Sequence, residues 1–396
     1  MSENKQSNSL IFIVILGALT AIGALSIDMF LPGLPELQND FGTTTSNAQL
    51  TLSFFMVGLA LGNLFVGPLS DSLGRKKPLL ITMALFTIAS VAIVFTTNIG
   101  VMIFLRFVQG CCGGAGAVIS RAISSDLYSG KQLTKFLAIL MLVNGVAPVL
   151  APALGGIVLT FATWRMIFII LTVFGLVMCV GIVCYIKESL TTEQRTPANL
   201  GSIFYNFKQL LAKPKFVLPM LIQGFTFIFL FSYISASPFI AQRIYNMNAL
   251  QFSWMFATVG ITLIISSQLT GKLVDYFARQ TLFRALTVIQ IVGVLGIGIT
   301  LLNHLPLYML IIGFIILVAP VTGIATLGFS IAMDERSGGS GSASSLLGLV
   351  QYLFGGLVAP LVGIMGEDSY LPYLVIISIT AIGLIILQII NYRVFR

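Results

Sequence analysis

Charge is what this chain has least of. Asp, Glu, Lys and Arg together make up 9% of its 396 residues, where soluble domains carry about 25%. That excludes an independent soluble domain. With 57% hydrophobic residues and a mean hydropathy of +1.01, the chain reads as an integral membrane protein. Histidine occurs once, His304, in a short loop expected at the surface. The four cysteines, Cys111, Cys112, Cys179 and Cys184, lie in apolar runs with no His or Cys at metal spacing. They are expected to be small buried hydrophobes. No His, Cys and carboxylate cluster is patterned for a nucleophile or a metal, so no enzyme, metal or cofactor is expected. The phosphate loop G-x-x-x-x-G-K-[ST] is missing, which removes an ATP-driven pump. A channel would show a charged ring or a repeated filter loop, and neither is present. No small-x-small cleavage pattern follows the first apolar run, so that run is expected to stay as a membrane helix.

What the chain has is long apolar runs. About 20 such residues cross a bilayer, and twelve runs qualify: 10–31, 47–69, 79–97, 100–122, 136–160, 165–186, 216–238, 250–271, 282–302, 306–330, 341–364 and 372–392. The net charge of +8 belongs to the loops between them, not to a nucleic-acid surface. Eighteen of the 21 basic residues, from Lys5 through Arg75, Lys76, Lys77, Lys187 and Lys272 to Arg396, fall on one side. Only Arg165 and Arg243 fall on the other, and Arg106 lies inside a run. The positive-inside rule then puts both termini in the cytoplasm. The longest connection, 187–215, is polar and carries Pro197. It divides the chain into 1–186 and 216–396, six runs each, and its stretch Leu200–Lys213 is expected to form a surface helix.

The halves share a repeat. Gly67-Pro-Leu-Ser-Asp71-Ser-Leu-Gly74-Arg75 and Gly271-Lys-Leu-Val-Asp275-Tyr-Phe-Ala-Arg279 match in Gly, Leu, Asp and Arg at an offset of 204. Repeated halves are a signature of secondary transporters. In the first copy, Asp71 can pair with a neighbouring arginine or cap a helix end, and such a pair would serve as a latch that breaks and reforms between two conformations.

Three further features fall inside the apolar runs. Asp28 is the one acid of the chain within a run, and a carboxylate there costs about 2.5–3.5 kcal/mol on insertion scales. It must be protonated, paired or wetted. Arg106, in Leu105-Arg-Phe-Val-Gln109-Gly110, cannot deprotonate and needs acceptors inside the bundle. The glycines that follow, Gly110, Gly113, Gly114 and Gly116, favour a close helix neighbour. The fifth run carries Gly145-Val-Ala-Pro148-Val-Leu-Ala-Pro152-Ala-Leu-Gly155-Gly156, two prolines on one helix face with glycines at either end.

The 67–77 loop resembles the motif shared across the major facilitator superfamily. That resemblance implies an all-α integral membrane fold of twelve transmembrane helices in two pseudo-symmetric six-helix bundles that rock around a cavity. The Arg106 pattern is similar to the family's fourth-helix motif, linked to proton coupling. Gly145–Gly156 is similar to the fifth-helix antiporter motif, thought to seal the cavity against leak. Asp28–Pro35, Ala147–Pro152, Arg121-Ala122 with Asp126, Trp164-Arg165 and Tyr233–Phe239 together resemble the Bcr/CflA subfamily of drug:proton antiporters. The chain departs from better-studied relatives at Thr20, where they carry a second acid; this argues against divalent cations and for one proton per cycle.

The resemblance implies proton coupling at Asp28 and Arg106, and a conformational switch built from Gly67, Asp71, Gly74, Arg75, Arg121, Gly145, Pro148, Pro152, Gly155, Asp275 and Arg279. The expected substrate wall is Ala24, Ile27 and Asp28, Gln109 and Gly113, Asn144, and Phe227, Phe231 and Tyr233. Sparse polar groups among aromatics suit amphiphilic drugs. The expected partners are such antibiotics, protons and the lipid bilayer, with a monomer as the carrier. A proton-coupled exporter of a small metabolite with the same fold is the alternative.

Overall fold

The structure, a computed structural model, describes residues 10–128, 130–195, 200–334, 340–366 and 368–395. All regular elements among them are helices. A helix satisfies its own backbone, as hydrocarbon surroundings require. The helices are α1 (Leu10–Asp28), α2 (Leu34–Asp40), α3 (Thr45–Leu73), α4 (Lys76–Phe95), α5 (Ile99–Leu127), α6 (Gly130–Val158), α7 (Trp164–Tyr185), α8 (Leu200–Leu211), α9 (Pro214–Phe239), α10 (Ala249–Leu273), α11 (Arg279–Leu302), α12 (Leu307–Val318), α13 (Pro320–Asp334), α14 (Ser340–Val362) and α15 (Leu371–Val394). Among the described residues, eleven spans are long and apolar enough to cross a membrane. The fifth expected run lies in α6, whose described apolar stretch is the shorter Val146–Val158.

Prolines mark where runs break. α1 stops at Asp28, and a 3₁₀ turn, Leu31–Gly33, leads into α2. Pro32 and Pro35 have no N–H for the preceding turn. The run expected at 306–330 is one candidate membrane span, Leu307–Asp334, interrupted at Ala319 between α12 and α13, where Pro320 cannot donate to the carbonyl four residues back. The linker helix expected from residue 200 is α8.

Contacts gather the chain into two compact units: Met1–Thr43 with Phe54–Leu200, and Thr44–Ser53 with Gly201–Arg396. In the first unit, α4 packs on α7 and α5, and α1 packs on α6 and α5. In the second, α9 packs on α14, α15 and α13, and α11 packs on α12. Aromatic rings fill the middle of that unit. Tyr233 stacks on Phe256 with centroids 5.3 Å apart and meets Phe314 edge-on at 4.8 Å.

The first unit has an unusually close seam. A side-chain carbon on Gly58 would be driven into the Phe107 carbonyl, on Gly62 into the Cys111 carbonyl, and on Gly110 into the Phe55 carbonyl. On Gly114 it would lie 2.6 Å from the Leu59 carbonyl oxygen. Each helix therefore presents two glycines four residues apart to the other's backbone, the spacing that lets membrane helices approach closely.

Candidate functional site

Arg106 is the centre of the first unit. It sits on α5 four residues before Gly110, and the seam brings α3 close enough for Phe55 to cover it. The side chain is fully buried. Its guanidinium lies 4.2 Å from the Phe55 ring centroid, 5.4 Å from Phe30 and 5.7 Å from Phe168. A cation over aromatic faces gains about 2 kcal/mol or more when desolvated. One nitrogen, Nη1, donates to Gln109 Oε1 at 2.6 Å and to the Ser26 carbonyl at 3.1 Å. Gln109 sits one helical turn on, and its Nε2 donates to Ser90 Oγ at 2.8 Å. Ser90 in turn donates to the Phe86 carbonyl. Neutral acceptors and aromatic rings thus help to hold the cation.

Asp28 ends α1, two residues after the carbonyl that Arg106 holds. It is 6% exposed. The fifth-helix motif reaches the same place: a side chain on Gly155 of α6 would be driven into the carbonyl of Met29, next to Asp28. Asp28, Arg106, Gln109 and Gly155 therefore belong to one neighbourhood of the first unit. Gly113 is buried there too, and a Cβ on it would find Leu59 at 3.6 Å, Ile22 at 3.7 Å and Phe55 at 3.8 Å. Ile27 is buried and Ala24 is half-buried on α1. Thr20 donates to the Gly17 carbonyl at 2.7 Å. Asn144 and Gly145 fall in α6, but their side-chain placement lies outside the described residues. Pro148 and Pro152 are inside that helix.

In the second unit, Phe227 and Phe231 pair at 5.9 Å, and Phe231 meets Tyr352 at 6.2 Å. Tyr233 is 1% exposed in its ring cluster. At the repeat offset of 204, Asp28 corresponds to Ser232 and Arg106 to Leu310. The buried ionisable centre thus has no counterpart at the repeat positions of the second unit.

The two repeat loops form two comparable clusters. Gly74 sits at φ +89°, which glycine adopts without penalty. The tight turn aims Arg75 inward. Its Nη1 meets Asp71 Oδ1 at 2.5 Å and Ser70 Oγ at 2.7 Å, and its Nε meets Asp126 Oδ2 on α5 at 2.9 Å. Desolvation opposes the charge on Arg75, but the Asp126 and Asp71 carboxylates outweigh it and raise the guanidinium above its ordinary value. Glu188 completes the loop by accepting from the backbone N–H groups of Arg75 (2.7 Å) and Lys76 (3.2 Å), where α4 begins. In the second copy, Arg279 donates to Ser330 Oγ at 2.9 Å and pairs with Asp334 at 2.8 Å. Ser330 stands where the offset of 204 places Asp126. The second copy thus recovers a carboxylate one turn further along α13. Arg121 is exposed and donates to the Ala117 carbonyl, and Asp275 is exposed. The switch residues read from the sequence left out Glu188 and Ser70, and Asp126 entered only through the subfamily pattern.

The two clusters should respond differently. Arg75 and Asp126 are partly buried, with side chains 8% and 16% exposed, whereas Arg279 and Asp334 are at 46% and 57%. Asp126→Ala removes a shielded, charge-assisted bond and is expected to cost about 1.5–3 kcal/mol. Asp334→Ala removes an exposed pair and is expected to cost under about 1 kcal/mol. Thermal unfolding of the purified variants compares them; equal losses would refute the ranking.

Long apolar helices with an acid and an arginine buried among them define a multi-pass helical membrane protein. The chain belongs to the Major Facilitator Superfamily, whose family model matches residues 16–390. It is 36% identical over 370 residues to the uncharacterized MFS-type transporter YdgK of Bacillus subtilis (strain 168), covering 93% of this chain and 92% of that one. It is 32% identical to a bicyclomycin resistance protein homolog of Haemophilus influenzae, covering 96% of each. It is 28% identical to a chloramphenicol resistance protein of Pseudomonas aeruginosa, covering 89% and 82%. The fold is that of solved carriers: a nucleoside transporter NupG variant aligns with a TM-score of 0.75 at 12% identity, covering 97% of this chain and all of that one. The resemblance to drug:proton antiporters is thereby borne out at the level of family.

Proposed function

We propose that this chain is a proton-driven multidrug exporter of the cell membrane, exchanging protons for amphiphilic antibiotics by alternating access. The observation that carries this reading is the joint burial of Asp28 and Arg106 around the end of α1. A buried acid is expensive to keep, and here the arginine holds the backbone two residues before it. The resistance names of the bacterial relatives supply the substrate class. In this reading the carrier has twelve membrane helices, with bundles at 1–186 and 216–396 and a cytoplasmic linker at 187–215. Both termini are cytoplasmic, and it works as a monomer.

In the cycle, ionised Asp28 faces the cytoplasm and permits drug binding. The transporter then reorients and releases drug outside, and a proton taken up there by Asp28 resets it. Moving one uncompensated charge across the membrane is worth about 2.3 kcal/mol per 100 mV, so exchange of one proton for a neutral drug draws on the membrane potential. Ala24, Ile27, Gly113, Phe227 and Phe231 are proposed to contact drug. Gln109 is proposed to serve chiefly as the acceptor for Arg106, and Tyr233 to brace α9.

The test uses inside-out vesicles with an acid interior and a pH-sensitive dye. Chloramphenicol, bicyclomycin, a fluoroquinolone and a lipophilic cation are added in turn. Wild type is expected to release protons on drug addition, and Asp28→Asn is expected to release none. Uphill efflux retained by Asp28→Asn would remove the role assigned to that acid. Silence of the wild type with every drug would favour a metabolite exporter.

A further inference from the structure

The proton reading leaves a second cluster of the first unit unused. It lies at the end of the unit that carries few basic residues, where the short α2 meets the start of α7. Thr163, the residue just before α7, gives no side-chain cap. Glu36 supplies one from another helix, its Oε2 accepting from the Trp164 backbone N–H at 3.2 Å. One turn along α2, Asp40 Oδ2 accepts from the Trp164 indole N–H at 3.1 Å and from Arg165 Nη1. Arg165 also donates to the carbonyls of Val94 (3.2 Å) and Thr96 (3.4 Å), where α4 ends, and its guanidinium stacks 4.4 Å from the Trp164 ring. Both carboxylates of α2 are therefore spent on two consecutive residues.

What they fix is the indole of Trp164, which is wholly buried. It meets Phe168 edge-on at 5.8 Å and Phe30 at 6.4 Å, and Phe30 and Phe168 meet each other at 5.2 Å. Phe30 and Phe168 are two of the three rings around Arg106. Contacts thus run from Glu36 and Asp40, through the indole, to the buried guanidinium. Phe30 also belongs to the turn that ends α1, its N–H bonded to the Ile27 carbonyl at 3.2 Å. Holding Phe30 therefore holds both the cover of Arg106 and the chain on either side of Asp28.

We propose that Glu36, Asp40, Trp164 and Arg165 form a clamp that positions Phe30 and Phe168 against Arg106, and that the clamp is a positioning element of the ion-coupling centre. Its role in transport rests on the reading of Asp28 and Arg106 as that centre. Its physical coupling to Arg106 does not.

The chain has only two tryptophans. The other, Trp254, is 58% exposed on α10, so Trp254→Phe leaves Trp164 as the single indole reporter. In full-length protein in liposomes, Arg106→Lys is expected to shift Trp164 emission and its quenching by acrylamide. Asp40→Asn is expected to lower chloramphenicol-driven proton release about tenfold, the equivalent of one charge-assisted bond, at equal amounts of folded protein. Asp40→Glu keeps an anionic acceptor for the indole and should restore most of it. An emission spectrum indifferent to Arg106→Lys would overturn the coupling, whatever the transport result. An Asp40→Asn protein as active as wild type, or an Asp40→Glu protein no better than Asp40→Asn, would overturn the positioning role. If Asp28→Asn retains uphill efflux, the proton reading fails, and the spectral comparison still decides whether the clamp reaches Arg106.

Discussion

Arg106→Met should leave a folded protein that no longer couples drug to protons. Methionine matches much of the volume of arginine and can lie among Phe30, Phe55 and Phe168, so the packing loss is small. What disappears is the donor. The Ser26 carbonyl and Gln109 Oε1 each lose their bond to Nη1, and each lost charge-assisted bond costs about 1.5–3 kcal/mol. If that cost falls on the coupled state, the rate falls roughly 10- to 150-fold per bond. Arg106→Lys keeps the charge but not the planar fork, so it cannot serve both acceptors and lie flat against the rings as well. It is expected to retain partial activity between wild type and Arg106→Met. Drug-triggered proton release in vesicles, normalised to folded protein, gives the order. Full activity in Arg106→Met would show that the centre is a packing feature alone.

The sequence showed most of the fold because hydrocarbon imposes a simple rule. A segment must be apolar and long, and its backbone must bond within itself. The runs and the Leu200 helix needed nothing more. The division of 306–330 was harder, because many membrane helices absorb a proline without breaking; here Pro320 begins a new helix. The site was legible where cost is visible in one residue, as at Asp28 and Arg106. It was not legible where a role depends on what a side chain meets. Gln109 could be placed on the right helix, but only the fold shows that it is bonded to Arg106 and Ser90. The rings around the guanidinium come from α3, from the turn after α1 and from α7, and nothing in a chain with 30 phenylalanines distinguishes these three. Glu36, Asp40 and Glu188 were invisible for a related reason. Glu36 and Glu188 cap helices distant in sequence, and Asp40 holds two side chains of such a helix.

The glycine seam gives the sharpest contrast between neighbouring residues. Gly110→Ala and Gly113→Ala add the same methyl group to the same helix, three residues apart. At Gly110 the methyl would be forced against the Phe55 carbonyl, with the Phe55 Cα at 3.0 Å. Backbone cannot rotate away as a side chain can, so α5 must move off α3. Overpacking of this kind costs about 1–3 kcal/mol, occasionally more. At Gly113 the methyl would meet only side-chain atoms, at ordinary contact distances of 3.6–3.8 Å, so it should be tolerated. The functional consequence follows from the position of Arg106, one turn before Gly110 on α5. Any displacement of α5 from α3 withdraws the guanidinium from the Phe55 ring, which now lies 4.2 Å away. Gly110→Ala is therefore expected to lower thermal stability and to reduce proton-coupled export at least about tenfold, since losing 1.4 kcal/mol at the centre suffices for that. Gly113→Ala should keep the thermal stability of the wild type, because the added methyl finds only ordinary side-chain contacts. Gly62→Ala tests the seam from the other helix, because its methyl would strike the Cys111 carbonyl, and it should resemble Gly110→Ala. If Gly110→Ala and Gly113→Ala were equally active and equally stable, the close approach of α3 and α5 would not be what holds Arg106 in place.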